Sequence, residues 1–260
     1  MNKLNSDIHQ IAIAMPVYNE EDGLPETLSE LSKLSELLNI SVSLYVQDDC
    51  SSDNSLAILN AFSRDALQID VESNHDRLGH GGTVYRAYQR AIASGPDCVL
   101  QLDGDGQFAI DDVALIIVSI LFGSEMTIGQ RIDRKSPIFR RVASQGLQLL
   151  GILVFGVSSK DLNSPVRGFD TSCLSKILAF IPAKCLIPNV YLTVLGIRLF
   201  EKNINLDVED RIRRGDMSIG STWRNKKSRN IFHLHFFRFS LRAFTEMLSC
   251  LLYTSPSPRD

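Results

Sequence analysis

The chain lacks the marks of several large protein classes. Its five cysteines, Cys50, Cys98, Cys173, Cys185 and Cys250, form no CxxC pair and no metal-chelating spacing. That excludes a zinc ribbon or a disulfide framework and reads as reduced, buried thiols in a cytosolic setting. The opening MNKLNSDIHQ carries no apolar core, so no signal peptide is expected. No run of about 18 apolar residues occurs, as a spanning helix would need; the nearest approach, Leu147 to Val157, is too short. A net charge of −3 gives no basic excess for nucleic acid. A dinucleotide-binding GxGxxG is also missing. Gly79, Gly81 and Gly82 have the composition of a phosphate loop without its spacing. Ser144 and Ser164 have no His/Asp partner pattern, which excludes a nucleophilic triad.

What is present is an ordinary globular composition, 44% hydrophobic and 22% charged over 260 residues. Short apolar runs alternate with helical patterns. Strands are expected at Ile11–Met15, Val42–Val46, Gln68–Val71, Cys98–Leu102 and Met126–Ile128. Between them, Asp22–Leu38 repeats leucine at helical spacing, and helices are expected at Asp53–Phe62 with Asp53 as a cap, Thr83–Ala93 and Asp111–Phe122. This alternation predicts an α/β fold with a mostly parallel sheet flanked by helices. The second half is less regular. Arg140–Val157, Thr171–Phe180 and Asn189–Glu201 read as helices, "KDLNSPVRGFD" as a loop or short strand, and Ile204–Ile212 as an edge strand. Phe232–Leu248, with His233 and His235 read as core or interfacial, is either an amphipathic helix lying on a membrane or a core-packing helix. "CLLYTSPSPRD" breaks the preceding pattern and resembles the translation of a transposon-type sequencing adapter. Residues 250–260 are therefore expected to be foreign to the fold, with the coding sequence cut short.

In such a sheet, ligands gather at the carboxyl ends of the strands. Each acidic cluster falls there: Glu20 in "PVYNEEDG", Asp48 and Asp49 in "QDDCSSDNS", Asp103 and Asp105 in "QLDGDGQF". The first cluster would repel a phosphate but accept hydrogen bonds from a base or ribose; it is equally a solvated helix start. Asp49 is placed to accept from the imide N–H of a uracil or guanine. Two carboxylates spaced i,i+2 around Gly104, with the neutral oxygen of Gln107 beyond, suit a hard cation such as Mg²⁺ or Mn²⁺ shared with substrate phosphates. Downstream, Arg131, Arg140, Arg141, Arg167, Arg211, Arg213 and Arg214 offer guanidinium forks for phosphate oxygens, or are solvated surface charges.

Taken in order, "MPVYNEEDGLPETL", "VQDDCSSDNS", "VLQLDGDGQF", "IGQR" and "DLNSPVRGF" resemble family 2 glycosyltransferases of the Rossmann-like GT-A fold, and among them polyprenyl-phosphate mannosyl- or glucosyltransferases. The resemblance covers roughly residues 11–221. It implies a glycosyltransferase domain over 1–221; beyond it the residues give an amphipathic helical, membrane-proximal extension over 222–249 and then the foreign tail over 250–260. It implies that Pro16, Tyr18 and Glu20 contact the nucleoside and that Asp49 reads the base. Asp103 and Asp105 would meet ribose, diphosphate and metal, with Gln107 assisting at the metal and Asp105 and Arg131 carrying catalysis. Arg141, Ser144 and Arg167 would hold acceptor or donor phosphate, with Arg213 or Arg214 on a loop closing over the donor. The chain departs from the family at Cys50, where glycine is usual, and "RRGDMS" is not a clean R-x-x-G-x-S.

The implied reaction is inverting sugar transfer from a nucleotide-diphospho-sugar to a polyprenyl phosphate, at the cytoplasmic face of a membrane, with Mg²⁺ or Mn²⁺. A saccharide acceptor is the alternative. It requires an aspartate base, for which Asp161 and Asp170 are the candidates. A non-catalytic nucleotide-sugar binding module is a third reading, against which retention of both Asp103 and Asp105 argues. A Rossmann dehydrogenase fails for want of glycines after the first strand.

Overall fold

Strand β1, Gln10–Val17, is buried along all but its first residue. Ile11, Ile13, Met15 and Val17 face one apolar layer, while Ala12 and Ala14 face another. A strand covered on both faces is what a parallel sheet between helices requires. The computed structural model describes residues 10–62, 67–132, 146, 148, 151–153, 155–209, 211, 242 and 245–246. Chain order continues with α1 (Leu24–Leu38), β2 (Ser41–Asp48), α2 (Ser55–Ala61), β3 (Gln68–Ser73), α3 (Gly79–Ala93), β4 (Cys98–Gln101) and α4 (Ile110–Leu121). It closes with β5 (Met126–Ile132), β6 (Arg167–Asp170), α5 (Thr171–Leu178), α6 (Pro188–Leu199) and β7 (Asn203–Glu209).

The strands form one seven-stranded sheet in the order β3-β2-β1-β4-β6-β5-β7. β1 pairs parallel with β2 and β4, β2 with β3, and β5 with β7. β6 runs antiparallel to both of its neighbours, β4 and β5. The stretch read as a loop or short strand is therefore the element that joins the two parallel halves. The expected edge strand is β7, paired in parallel along β5.

Helix α1 follows its leucines: Leu24, Leu28, Leu31 and Leu34 are buried. Pro25 sits in its first turn, and Asn39 closes it in the left-handed conformation at φ 52°. With α4 it covers the Ile11 face of the sheet, where Val113, Ile116, Ile117 and Ile120 are buried. Helices α3, α5 and α6 cover the Ala12 face, with Tyr88 packed edge-on against Phe169 at 6.1 Å between ring centres. α3 begins at Gly79, four residues before its predicted start. Two of its glycines serve packing: a Cβ would lie 1.8 Å from the Cys185 carbonyl oxygen on Gly81 and 2.9 Å from Leu78 Cβ on Gly82, while Gly79 takes a left-handed φ of 75°. α2 begins at Ser55 with Asn54 as N-cap. Asp53 still caps locally, its Oδ1 accepting from the Ser55 N–H at 2.9 Å.

Residues 146, 148, 151–153 and 155 are helical, within the predicted Arg140–Val157 helix. Arg140, Arg141, Ser144, Arg213, Arg214, His233, His235 and residues 250–260 lie outside the described residues. Of the C-terminal helix, Glu246 docks on the α5–α6 connection, accepting from the Leu186 N–H at 2.9 Å. No helix among the described residues is long and apolar enough to cross a membrane.

Candidate functional site

β1, β2 and β4 run parallel, so the loops that follow them emerge at one edge of the sheet. The first two are laced together. The Asn19 carboxamide oxygen accepts from the Ser52 N–H at 2.8 Å, and the N–H groups of Asn19 and Glu20 donate to the hydroxyls of Ser51 and Ser55 at 3.0 and 2.8 Å. Asp53 accepts from the Glu21 N–H at 3.2 Å, and Glu21 accepts from the Asn54 backbone and side chain at 3.0 and 2.7 Å. Asp48, fully buried, accepts from the Ser51 N–H. Glu21 and Asp53 are thus structural acids that hold the two loops together, while Asp48 braces the second loop from within.

Asp49 is 2% exposed. Its Oδ1 accepts from the Leu78 N–H at 2.7 Å and the Asn74 carboxamide at 3.0 Å, which uses both lone pairs. Its Oδ2 accepts from the Gly79 N–H at 3.0 Å and lies 3.8 Å from Arg77 Nε. The carboxylate therefore ties the N-terminus of α3 to β2, with acceptor capacity left only on Oδ2. Arg77 stacks over the Tyr18 ring at 3.8 Å from its centre. Sequence reasoning passed over Arg77. The rule that found the acids also applies to it, since it stands just beyond the carboxyl end of β3.

Cys50 follows in the left-handed region at φ 61°, which explains why glycine suits this position. Its thiol donates to the Asn74 carbonyl at 3.1 Å. Desolvation, and after it the neighbouring Asp49 and Asp48, raise the thiol pKa and keep it protonated.

The Asp103–Gln107 loop leaves β4 beside the start of α1. The Leu102 N–H donates to the Ala14 carbonyl at 3.2 Å. Gly104 fits against Leu24, Val17 and Met15, and a Cβ on Gly23 would come within 3.0 Å of the Gly104 carbonyl oxygen and 3.1 Å of Asp105 Cα. Asp105 is 5% exposed, and its Oδ1 accepts from the Gln107 N–H at 3.2 Å. A shallow concavity here is lined by Thr27, Glu30, Asp103, Gly106, Gln107 and Phe108, among others. Among the described residues no three His, Cys, Asp or Glu side chains cluster as an all-protein metal cage. Two carboxylates and a carboxamide instead give an all-oxygen, partial donor set, which fits a hard cation that completes its shell with water and phosphate oxygens.

Arg131, near the carboxyl end of β5, is held by Asp161. Its Nε donates to Oδ2 at 2.7 Å and its Nη2 to Oδ1 at 3.3 Å, with a further bond to the Asn163 carbonyl at 3.4 Å. Asp161 is 2% exposed. Both oxygens of the Asp161 carboxylate are thus engaged by the guanidinium, which leaves it poorly placed to take a proton from an acceptor hydroxyl.

Two sequence expectations are corrected here. Arg167 does not present its guanidinium to a phosphate: it is completely buried on β6, donating to the carbonyls of Asn189 and Ser164 and to the Thr193 hydroxyl. Burial lowers its pKa to about 10. Its work is to tie the 161–166 loop to α6. Asp170 cannot be an acceptor base. It pairs with Cys98 at the start of β4, the sheet edge opposite Asp103, and caps α5 by accepting from the Ser172 and Cys173 N–H groups.

Residues 12–181 match the model of glycosyl transferase family 2. The chain belongs to that family. Among its relatives are undecaprenyl-phosphate 4-deoxy-4-formamido-L-arabinose transferases. That of Pseudomonas fluorescens is 25% identical over 182 residues, 70% of this chain and 52% of the relative. That of Pectobacterium carotovorum is 24% identical over 204 residues, 78% of this chain and 60% of the relative. The chain thus spans between half and three-fifths of the length of these curated relatives. Among solved structures, glucosyl-3-phosphoglycerate synthase of Mycobacterium tuberculosis, in complex with Mn²⁺ and UDP-glucose, superposes with a TM-score of 0.62 at 16% identity. That likeness covers 93% of this chain and 79% of the other. The GT-A fold expected from the sequence is the fold observed.

Proposed function

We propose that this family 2 glycosyltransferase moves a sugar from a nucleotide-diphospho-sugar to a polyprenyl phosphate, with a divalent cation, Mg²⁺ or Mn²⁺, at the donor diphosphate. The observation that carries the reading is the gathering of Tyr18, Asp49, Asp103, Asp105 and Gln107 on three adjacent strand ends. The relatives' undecaprenyl-phosphate acceptor supports the lipid end of it. The structural neighbour's Mn²⁺ and UDP-glucose support the donor end.

Pro16, Tyr18 and Glu20 would line the nucleoside. The free capacity of Asp49 Oδ2 and the N–H groups of Arg77 form an acceptor beside donors. That pair complements an N–H next to a carbonyl, the pattern on the edge of both uracil and guanine. Asp103, Asp105 and Gln107 would hold the cation, which as a Lewis acid neutralises charge developing on the leaving diphosphate. Arg131, oriented by Asp161, would direct its guanidinium charge towards phosphate oxygens, with Arg141, Ser144 and Arg213 as further candidates. A lipid phosphate is already ionised at neutral pH and attacks without a base. The engagement of Asp161 and the position of Asp170 favour that acceptor over a saccharide hydroxyl. Such an acceptor brings the enzyme to a membrane surface, at its cytoplasmic face.

The test is transfer of radiolabelled sugar into a lipid extract, using a panel of UDP- and GDP-sugars with and without Mg²⁺ or Mn²⁺. A cation-dependent lipid product is expected, lost in Asp105→Ala. Absence of a lipid product with every donor would overturn the acceptor assignment. Undiminished turnover in Asp105→Ala would overturn the cation's place.

A further inference from the structure

At the end of β7, Glu209 and Arg211 are tied back to the elements around the Asp103–Gln107 loop. Val208 pairs with Arg131 across the β5–β7 register. The Glu209 N–H then donates to Asp112 Oδ2 in the first turn of α4 at 3.0 Å. Two residues later, the Arg211 N–H donates to the Gln107 carbonyl at 2.9 Å. The Arg211 guanidinium meets Glu30 of α1 at 3.4 Å. Three links, to α4, to the Asp103–Gln107 loop and to α1, pin this strap across the loop.

Gln107 is thereby gripped on both sides. Its N–H is held by the Asp105 carboxylate and its C=O by Arg211. A carboxamide that is to share a cation with Asp105 must keep its backbone in register with that carboxylate, because coordination distances tolerate little drift. Glu30 also lines the same concavity as Asp103 and Gln107. Left bare, its charge would repel a diphosphate and compete for the cation. Arg211 neutralises it there.

We propose that Arg211, paired with Glu30, is a positioning residue for the cation-holding loop: the ion pair seats the segment whose backbone N–H holds the Gln107 carbonyl, and it masks the Glu30 charge. This rests on the donor-and-cation reading above and adds a residue to it. Neither partner touches the cation in this assignment.

The experiment uses the full chain and titrates UDP and GDP by calorimetry, with and without Mn²⁺, alongside thermal melting. The parent should bind one nucleotide more tightly when Mn²⁺ is present. In Arg211→Gln that Mn²⁺-linked gain should shrink by about three- to tenfold, as loss of one part-exposed ion pair and exposure of its partner would give. Mn²⁺-independent affinity and melting should stay near those of the parent. Glu30→Gln should cost less, because the charge it leaves unpaired is the part-exposed Arg211 cation, which attracts a diphosphate rather than repelling it. The double variant should recover part of the Arg211→Gln loss, and Arg211→Lys should keep most of the parental gain. An unchanged Mn²⁺-linked gain in Arg211→Gln overturns the proposal. So does a loss of affinity equal with and without Mn²⁺, or one that tracks melting, since either marks a merely structural contact. A parent that binds neither nucleotide overturns the donor reading itself and is distinguishable from both.

Discussion

Arg131 Nε lies 2.7 Å from Asp161 Oδ2, and the carboxylate it reaches is buried on a different loop thirty residues away. The pair joins β5 to the segment before β6. In Asp161→Asn the guanidinium loses its counter-charge but keeps a neutral acceptor. Stability should fall by about 1–3 kcal/mol in urea titrations, the cost of weakening a charged hydrogen bond in a poorly solvated place. Transfer should fall as Arg131 loosens, while the acidic limb of the pH–rate profile keeps its shape. Disappearance of that limb in the variant would mean that Asp161 is the base after all.

Arg77 on Tyr18 makes a second, separable prediction. Its side chain is 56% exposed, so Arg77→Ala should leave stability within about 0.5 kcal/mol of the parent. If its N–H groups meet a base carbonyl, nucleoside diphosphate affinity should fall about tenfold, the worth of one charge-assisted bond. Nucleoside monophosphate and diphosphate should lose equally, since the contact is to the base. A loss confined to the diphosphate would relocate Arg77 to the phosphates.

Alkaline pH probes the core beneath the site. Cys98 is buried on β4, and desolvation, with Asp170 adding, pushes its thiol pKa up to about 12 from an ordinary 9.0. The folded state then holds this proton over a range where the unfolded chain releases it. The stabilisation is complete below pH 9 and is lost as pH rises from 9 towards 12. Tyr88, pushed up by burial and donating to the Gln101 carboxamide oxygen at 2.7 Å, acts in the same direction. Arg167, lowered to about 10, opposes them above that pH, because its buried charge is relieved there. The net expectation is a loss of about 2–3 kcal/mol between pH 9 and 11 in urea midpoints. Cys98→Val, close in volume, should flatten part of that slope. An unchanged slope would show that Cys98 contributes none of it.

These cases also mark how far the sequence could be read. The strand ends carrying Glu20, Asp49 and Asp103 were legible because apolar runs stopped by acids recur in a βαβ order. Which acids are structural was not legible. The donors to Asp49 come from Leu78 and Gly79, and the bonds that join Asn19 and Glu21 to residues 51–54 cross more than thirty positions. β6 was only half legible, as a loop or short strand, for a different reason. Four residues give no periodicity, and an arginine inside "VRGF" looks like a loop charge until the Asn189 carbonyl and the Thr193 hydroxyl are folded around it. Cys50 was noticed as a departure from glycine, but only the backbone reveals the left-handed φ behind it.

Gly23 offers the sharpest test that loop position, and not merely loop chemistry, sets activity. It precedes α1, and a Cβ there would stand 3.0 Å from the Gly104 carbonyl oxygen and 3.1 Å from Asp105 Cα. Those atoms are backbone, so they cannot rotate away; the Asp103–Gln107 loop must shift by a few tenths of an ångström. Gly23→Ala should therefore cost about 1–2 kcal/mol of stability, as overpacking does. It should lower cation-dependent turnover by about tenfold, because small displacements of positioned groups are expensive in the transition state. Thr27, whose hydroxyl donates to the Gly23 carbonyl at 2.9 Å and lies 3.5 Å from that of Gly104, is the control on the same helix. Thr27→Val removes these polar contacts without adding bulk at the loop, and should cost stability while leaving the cation dependence close to that of the parent. If Gly23→Ala raises the Mn²⁺ concentration needed for half-maximal rate and Thr27→Val does not, displacement of Asp105 is the cause. Equal shifts in both would trace the effect to general loosening of α1.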